Sequence, residues 1–198
     1  MAFVKPKKAE ASAPDKRPVS ETYDWLQSII SALVICVVVF LFLFRVIDVS
    51  GHSMNPTLSD GNKMLVSGLF YKPKAGDVVI FRTEDYDPDR ALVKRVIATE
   101  GQVVNIDFDR GVVIVDGEEL EEDYLNTDPV TGEIDKTRVK LDFMGPWTVP
   151  EGCVFVMGDN RNQSTDSRDK RIGNVDEREI VGRAYAVIYP FGEIRWIE

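Results

Sequence analysis

The chain has 198 residues, with 24 Lys and Arg against 33 Asp and Glu, and its net charge at pH 7 is −9. This length fits one domain of ordinary size, and the acidic balance argues against nucleic acid as a partner, because binding to phosphates needs a basic surface. One His (His52) and two Cys (Cys36 and Cys153) cannot supply a usual four-ligand zinc site or a disulfide framework. We therefore expect no metal and no other cofactor.

The N-terminal part of the chain predicts a tail followed by a membrane anchor. Residues 1–24 are rich in Lys, Ala and Pro in their first part, and we expect them to be disordered. Residues 25–44 contain no charge, and as a helix they would extend about 30 Å, the thickness of a bilayer's hydrocarbon core. This run predicts a single transmembrane helix.

Two alternatives to the anchor stay open at this stage. A buried core helix would need protein on every side, and the remaining chain is too small to supply it. A cleaved secretory signal usually has an apolar core of about 7–15 residues, which is shorter than this run. Val49 and Gly51 nevertheless form a weak cleavage motif for it.

The distribution of basic residues predicts the orientation of the anchor. Five precede it (Lys5, Lys7, Lys8, Lys16 and Arg17), and two lie in the twenty residues after it (Arg45 and Lys63). Because positive charge favours the cytoplasmic side, we expect a cytoplasmic N-terminus and an extracytoplasmic domain over residues 45–198. The protein would then be a single-pass protein of the cell membrane.

The first polar motif after the anchor is Gly51-His-Ser-Met-Asn-Pro-Thr-Leu58. Gly51 allows close approach of the backbone, and Pro56 stiffens the turn after Ser53. This arrangement suits a nucleophilic serine whose own amide faces a developing oxyanion, although a purely structural loop stays open. His52 is a poor base for Ser53, since adjacent residues in an extended chain point apart.

Beyond residue 60, short runs of β-type residues alternate with turn signals and predict a mainly antiparallel β-sheet domain. Asp116-Gly117 predicts a two-residue hairpin turn, residues 118–137 a solvated excursion, and Val175–Ile180 a short helix. The predicted strands are residues 63–68, 77–83, 91–99, 102–107, 111–115, 138–143, 153–157 and 184–189.

The strand over residues 91–99 carries the second candidate residue, Lys94. Side chains alternate between the two faces of a strand, so Lys94 would share a largely apolar face with Leu92 and Val96. Burial there favours the neutral amine that a general base needs near pH 7. A lysine that extends to the sheet edge is the alternative.

The third polar motif is the loop Gly158–Arg168, which follows the strand over residues 153–157. It carries three hydroxyls (Ser164, Thr165 and Ser167) and four charges (Asp159, Arg161, Asp166 and Arg168). Such a loop can orient a lysine and brace a site through Asp–Arg pairs. A solvated turn is equally consistent with these residue types, and a calcium loop would lack the EF-hand spacing.

Together these motifs resemble the bacterial type I signal peptidases, and the single anchor is similar to the Gram-positive form. The resemblance covers residues 25–184. The matching segments are Ser53-Met54 with Pro56-Thr57-Leu58, Gly76-Asp77-Val-Val-Ile-Phe81, Lys94-Arg95-Val96, Gly158-Asp-Asn-Arg161 with Ser164, Asp166, Ser167 and Arg168, and Ile180-Val-Gly-Arg-Ala184.

The resemblance implies a serine endopeptidase that releases exported preproteins from the lipid bilayer by cutting after small residues, as in Ala-x-Ala. It implies Ser53 as nucleophile, Lys94 as general base and Ser164 as the hydroxyl that orients the lysine, braced by Asp166 and Arg168. The secretion translocon is a further expected partner. We expect Met54 and Pro56 to face substrate or membrane, and Leu69, Phe70 and Tyr71 to touch the membrane surface.

The chain departs from the family pattern at Gly51, where many two-pass members have a serine that helps to stabilise the oxyanion. The Ser53 amide is then the one certain donor. A membrane-anchored β-domain that binds partners without catalysis is the alternative function, and a self-cleaving domain like that of SOS repressors is disfavoured by the anchor.

Overall fold

The computed structural model describes residues 18–83, 86–87, 90–127, 134–138 and 145–197, the first four of them by backbone alone. It contains two compact units, one up to Leu41 and one from Phe42 onward. The first is helical. The second consists of antiparallel strands, and the prediction of a mainly β fold behind one apolar helix is confirmed.

The helix α1 spans Pro18–Leu43. The predicted disordered tail is therefore wrong for residues 18–24, while residues 1–17 lie outside the described part. Proline suits the first turn of a helix because its missing N–H would have no partner there, and a nucleated helix extends at little cost through polar residues. Within the described residues, Thr22–Leu43 is the one helix long and apolar enough to cross a bilayer.

Twelve strands are found in the described residues, and they form two antiparallel sheets. The larger has the order β1-β2-β11-β3-β4-β9-β10, with β12 also paired to β11, and the smaller has the order β7-β6-β5-β8. The strands are β1 (Arg45–Asp48), β2 (Lys63–Ser67), β3 (Val78–Phe81), β4 (Leu92–Thr99), β5 (Val103–Asp107), β6 (Val112–Val115), β7 (Glu118–Glu119), β8 (Trp147–Thr148), β9 (Cys153–Met157), β10 (Val175–Asp176), β11 (Ile180–Tyr189) and β12 (Arg195–Trp196).

Seven of the eight predicted strands correspond to strands of the structure. The eighth, over residues 138–143, falls almost wholly outside the described residues. The hairpin at Asp116-Gly117 is confirmed, because both residues have positive φ (53° and 88°) and Val115 pairs with Glu118 across the turn. The strands that the sequence analysis missed, β1, β7, β8, β10 and β12, have two to four residues, too few to show alternation.

Two predictions for the polar segments are corrected. Residues 118–137 are not a fully solvated excursion: they begin with the edge strand β7, and Leu125 and Thr137 are buried. The segment predicted as the helix Val175–Ile180 consists of the two-residue strand β10 followed by a single 3₁₀ turn, Glu177–Glu179. That helix cannot extend because Ile180 already pairs with Phe81 in the large sheet.

Buried side chains on both faces of β3, β4 and β9 hold these central strands in place. One core lies beneath β2, β3 and β11, a second joins β4 and β9 to the small sheet, and a third covers the other face of β3, β4 and β9. Burying such apolar surface contributes about 25 cal/mol per Å². The centre of β4 is therefore a rigid position from which to present a functional group.

Candidate active site

Ser53 and Lys94 are 41 positions apart in the chain and are neighbours in the structure. Ser53 lies in the loop after β1, and Lys94 lies in the middle of β4. The Lys94 Nζ and Ser53 Oγ atoms are 2.6 Å apart, within the distance at which a base can take the proton of a hydroxyl. Within the described part of the chain, Lys94 has no ion-pair partner.

The surroundings of Lys94 favour its neutral form. The side chain is 2% exposed, between the buried residues Leu92 and Val96 of the same strand. Burial removes hydration from the ammonium group and lowers the pKa of Lys94 from 10.5 to about 8. The charged groups that also act on this pKa are Asp166, which raises it, Arg90 and Arg168, which lower it, and Asp159, which raises it.

The loop Gly158–Arg168 is held against β9 by its own polar groups. Ser167 binds Val156 through two hydrogen bonds, accepting from its N–H through Oγ and donating to its carbonyl. Arg168 donates two hydrogen bonds of 2.8 Å to Asp166, and both side chains are fully buried. Burial alone would raise the pKa of Asp166, but the Arg168 charge and hydrogen bonds lower it, so this carboxylate stays ionised.

Ser164 lies at the point where this loop meets the Ser53 loop. A Cβ placed on Gly158 would come within 2.3 Å of Ser164 Oγ and 2.4 Å of the Ser53 carbonyl, so any other residue at position 158 would force these segments apart. The Ser164 hydroxyl is buried and has no hydrogen-bond partner in the described residues. The resemblance implies a contact between Ser164 and Lys94, but no hydrogen bond joins these two side chains in the described residues.

Asn160 is a positioning residue that the sequence analysis did not single out. Its backbone N–H donates to the Ser53 carbonyl at 3.0 Å, and its side-chain Nδ2 donates to the His52 carbonyl, also at 3.0 Å. The backbone on both sides of the Ser53 amide is therefore fixed from the opposite loop. Asparagine in a Gly-Asp-Asn run is an ordinary turn signal, so no local pattern indicates this role.

A buried ion pair lies on the other face of β4. The Arg95 guanidinium donates to both carboxylate oxygens of Asp159 at 2.9 and 2.8 Å, and a third bond reaches the Gly76 carbonyl at 2.8 Å. Thr57, which follows the Ser53 loop, donates to the same carboxylate. This pair links β4, the loop after β9 and the segment after Ser53.

Comparisons with known proteins show the family of this chain. The family model described as signal peptidase, peptidase S26, matches residues 22–189. Signal peptidase I of Bacillus licheniformis is 36% identical over 180 residues, which cover 87% of this chain and 91% of that protein. Signal peptidase I T of Bacillus subtilis (strain 168) is 36% identical over 185 residues, or 91% of this chain and 92% of that one. The chain belongs to the signal peptidase family, peptidase S26.

Membership of this family makes the protein a serine peptidase, a hydrolase, and supports signal peptide removal as its activity. A crystal structure of a signal peptidase I from Enterococcus faecalis V583 is 30% identical and aligns over 57% of this chain and 97% of that chain, with a TM-score of 0.43. The family assignment rests on the sequence matches, and it disfavours the non-catalytic binding module.

The structure corrects one of the expected contact residues. Met54 is 2% exposed and packs in the core beneath β2, β3 and β11, so it cannot touch a membrane. It also lines a recess of about 100 Å³ beside Ser53. Pro56 is exposed. His52 is exposed as well, and its contact with the site is the hydrogen bond that its carbonyl accepts from Asn160.

The other residues expected at the membrane surface divide into two groups. Leu69 and Phe70 are exposed, Phe70 almost completely. Tyr71 is half-buried, and its hydroxyl donates to Asp77, so it belongs to the domain rather than to a lipid contact. Within the described residues, no group of three or more His, Cys, Asp and Glu side chains is placed to hold a metal ion.

Proposed function

We propose that the protein cleaves signal peptides from exported preproteins with a Ser53–Lys94 dyad. The 2.6 Å distance between the Lys94 Nζ and Ser53 Oγ atoms carries this proposal. Above its lowered pKa of about 8, Lys94 is neutral and can accept the hydroxyl proton of Ser53. A base within hydrogen-bond reach of its nucleophile is the common arrangement for covalent catalysis by serine.

The reaction then follows from proton transfers within this pair. Ser53 Oγ bonds to the carbonyl carbon of the scissile peptide while its proton passes to Lys94. The C–N bond breaks, and the leaving amine takes that proton. Neutral Lys94 next removes a proton from water, whose oxygen attacks the acyl-enzyme ester. The bond to Ser53 Oγ breaks, and Lys94 returns the proton to Ser53 Oγ, which restores both residues. Ser164, Asp166 and Arg168 are proposed to position Lys94 within this sequence.

The recess beside Ser53 supports a preference for small side chains before the cleaved bond. Its volume of about 100 Å³ corresponds to roughly three water molecules. Apolar residues such as Ile47, Ala91 and Val93 line part of it, and polar residues such as Asp48, Ser50 and Arg90 line the rest. A methyl group fits this space, which agrees with cleavage after Ala-x-Ala.

The proposed location is the outer surface of the cell membrane. Helix α1 is long and apolar enough to serve as the anchor, and the basic residues that precede it favour a cytoplasmic N-terminus. Residues 45–198 are then the external domain. Ser53 is nine residues beyond Phe44, so it lies within about 30 Å of the bilayer core even in an extended chain. A signal peptide held in the same bilayer is within its reach, and Leu69 and Phe70 are proposed lipid contacts.

The test is cleavage of a preprotein with an Ala-x-Ala motif by the full chain in detergent. We expect Ser53→Ala and Lys94→Ala to lose at least about 10³-fold in kcat/KM, because a general base alone contributes about 10²–10⁴-fold. Ser59→Ala and Lys74→Ala, which remove the same groups from exposed positions, should cleave normally. Cleavage within tenfold of the unaltered protein by either Ser53→Ala or Lys94→Ala would rule out the dyad.

A further inference from the structure

Two groups that can donate hydrogen bonds at the Ser53 site, a backbone N–H and a guanidinium, have no acceptor in the described residues. When Ser53 attacks a carbonyl, the carbonyl oxygen becomes an oxyanion, and serine peptidases stabilise it with donors that are already in place. The Ser53 N–H donates to no acceptor among the described residues, which leaves it available for this oxygen. Serine peptidases commonly place a second donor beside this one.

Arg90 supplies the other unused donors. It lies two residues before the start of β4, and its backbone N–H donates to the Asp87 carbonyl at 3.2 Å. Its side chain is exposed, and its guanidinium has no hydrogen-bond or ion-pair partner in the described part of the chain. An exposed arginine without a partner beside a nucleophile is available to a negative charge that develops there.

The Arg90 guanidinium lies beside Gly51. Arg90 Nη2 lies 3.7 Å from the point that a Cβ of residue 51 would occupy. Arg90 lines both recesses that contain Ser53 and Lys94, the one of about 100 Å³ and a neighbouring one of about 190 Å³. Gly51 and Ser53 also line both recesses, so the guanidinium lies where the two recesses meet beside the nucleophile.

We propose that the Arg90 guanidinium is the second group, with the Ser53 N–H, that stabilises the oxyanion formed on Ser53. This inference rests on the proposed function. As the bond from Ser53 Oγ to the carbonyl carbon forms, the carbonyl π electrons move onto the oxygen and the Ser53 proton moves to Lys94. Arg90 opposes the new negative charge without exchanging a proton. When the C–N bond breaks, the carbonyl re-forms and the interaction weakens.

The same guanidinium acts on Lys94. The charged groups around Lys94 are Asp166 and Asp159, which favour the ammonium form, and Arg90 and Arg168, which oppose it. Removal of Arg90 leaves one opposing cation and both carboxylates, so the pKa of Lys94 rises. Any substitution that removes the Arg90 charge raises this pKa, so the pH profile of cleavage reports on the charge, while kcat reports on the oxyanion.

The experiment compares Arg90→Ala, Arg90→Lys and a control, Arg110→Ala, in the full chain in detergent. Arg110 is an exposed arginine in the turn between β5 and β6. Two peptides carry the same Ala-x-Ala motif with either a neutral or an acidic residue after the cleaved bond. We expect Arg90→Ala to lower kcat at least tenfold on both peptides, since loss of one oxyanion donor typically costs about 10²–10³-fold.

Three further results are expected if Arg90 stabilises the transition state. KM should change by less than about threefold, and the pH at half-maximal kcat/KM should rise above that of the unaltered protein. Arg90→Lys should recover part of kcat, and Arg110→Ala should retain all of it. Thermal unfolding of Arg90→Ala at an unchanged midpoint shows that the variant is folded.

The outcomes separate this inference from the function on which it rests. A loss confined to the acidic peptide, or seen in KM alone, would mean that Arg90 binds a substrate side chain and would overturn the proposal. So would a kcat of Arg90→Ala equal to that of Arg110→Ala beside an inactive Ser53→Ala variant. Cleavage by Ser53→Ala would instead overturn the proposed function and this inference with it.

Discussion

Lys94 and Arg95 are adjacent on β4 and are each 2% exposed. Their cations nevertheless have different partners on the two faces of the strand. On one face Arg95 meets the Asp159 carboxylate through two hydrogen bonds and lies 4.0 Å from the Tyr124 ring. On the other face Lys94 meets a neutral hydroxyl, and the nearby Asp166 is already paired with Arg168.

The difference shows how one strand provides both a fixed charge and a titratable base. A guanidinium stays protonated at any pH of interest, so its burial requires a partner, and Asp159 provides one. An ammonium without a carboxylate partner can lose its proton, so burial shifts the pKa of Lys94 toward neutrality. The structural and the proposed catalytic cation are therefore adjacent in the chain and differ in their partners. Asp159 pairs with Arg95, whereas Asp166 pairs with Arg168 and leaves Lys94 without a carboxylate partner among the described residues.

The largest expected effect is a loss of stability when Arg95 loses its carboxylate partner. Asp159→Ala leaves a buried guanidinium with no carboxylate, and we expect a loss of about 3–5 kcal/mol in the free energy of unfolding. The measurement is urea unfolding of the full chain in detergent, followed by the fluorescence of the buried Trp147.

The control for this prediction is Glu119→Ala, which removes a carboxylate from the exposed pair with Arg110. Exposed ion pairs contribute little, so this variant should unfold close to the unaltered protein. Equal destabilisation by the two substitutions would show that the buried Arg95–Asp159 pair contributes no more to stability than an exposed pair.

Much of this contrast follows from local sequence, and the remainder depends on distant contacts. The alternation in LVKRVIA predicts that Lys94 lies on an apolar face, because side chains of a strand alternate. The partner of Arg95 is 64 residues away, and it arrives only because β4 pairs with β9, where Arg95 is opposite Met157. No pattern within either segment encodes that pairing.

The same limit applies to the segment predicted to be solvated. Its many acidic residues are typical of an exposed loop, but Glu122 pairs with Arg161 and the Tyr124 ring covers Arg95. Polar residues bury when a partner of opposite charge comes from another part of the chain, and a single sequence does not show that partner.

The second prediction concerns Lys94, whose replacement should raise the free energy of unfolding rather than lower it. Because the pKa of Lys94 is about 8 when folded and near 10.5 when unfolded, the unfolded chain binds more protons between these values. Stability then rises with pH from about 8 to 10.5, and the full cost of burial is present below pH 8. Lys94→Met should therefore stabilise the fold by up to about 3 kcal/mol at pH 7.

The check is urea unfolding of Lys94→Met and the unaltered chain at several pH values between 6 and 10. The advantage of the variant should shrink as the pH approaches 10.5. Arg95→Met is the matched substitution on the opposite face, and it should destabilise the protein, since it leaves Asp159 buried without its cation. If both methionine variants moved stability in the same direction, the contrast between the two faces would be wrong.

The smallest effect tests the ring that covers Arg95. Tyr124 places its ring 4.0 Å from the Arg95 guanidinium carbon, and its hydroxyl accepts a hydrogen bond of 3.2 Å from Arg161. Tyr124→Leu removes both the ring and the hydroxyl, whereas Tyr124→Phe removes only the hydroxyl, with its hydrogen bonds to Arg161 and Glu122. Because a partly desolvated cation–π contact contributes about 0.5–2 kcal/mol, Tyr124→Leu should lose about 1 kcal/mol more than Tyr124→Phe in urea unfolding. Equal losses would mean that Asp159 alone compensates the burial of Arg95, and that the ring merely fills space.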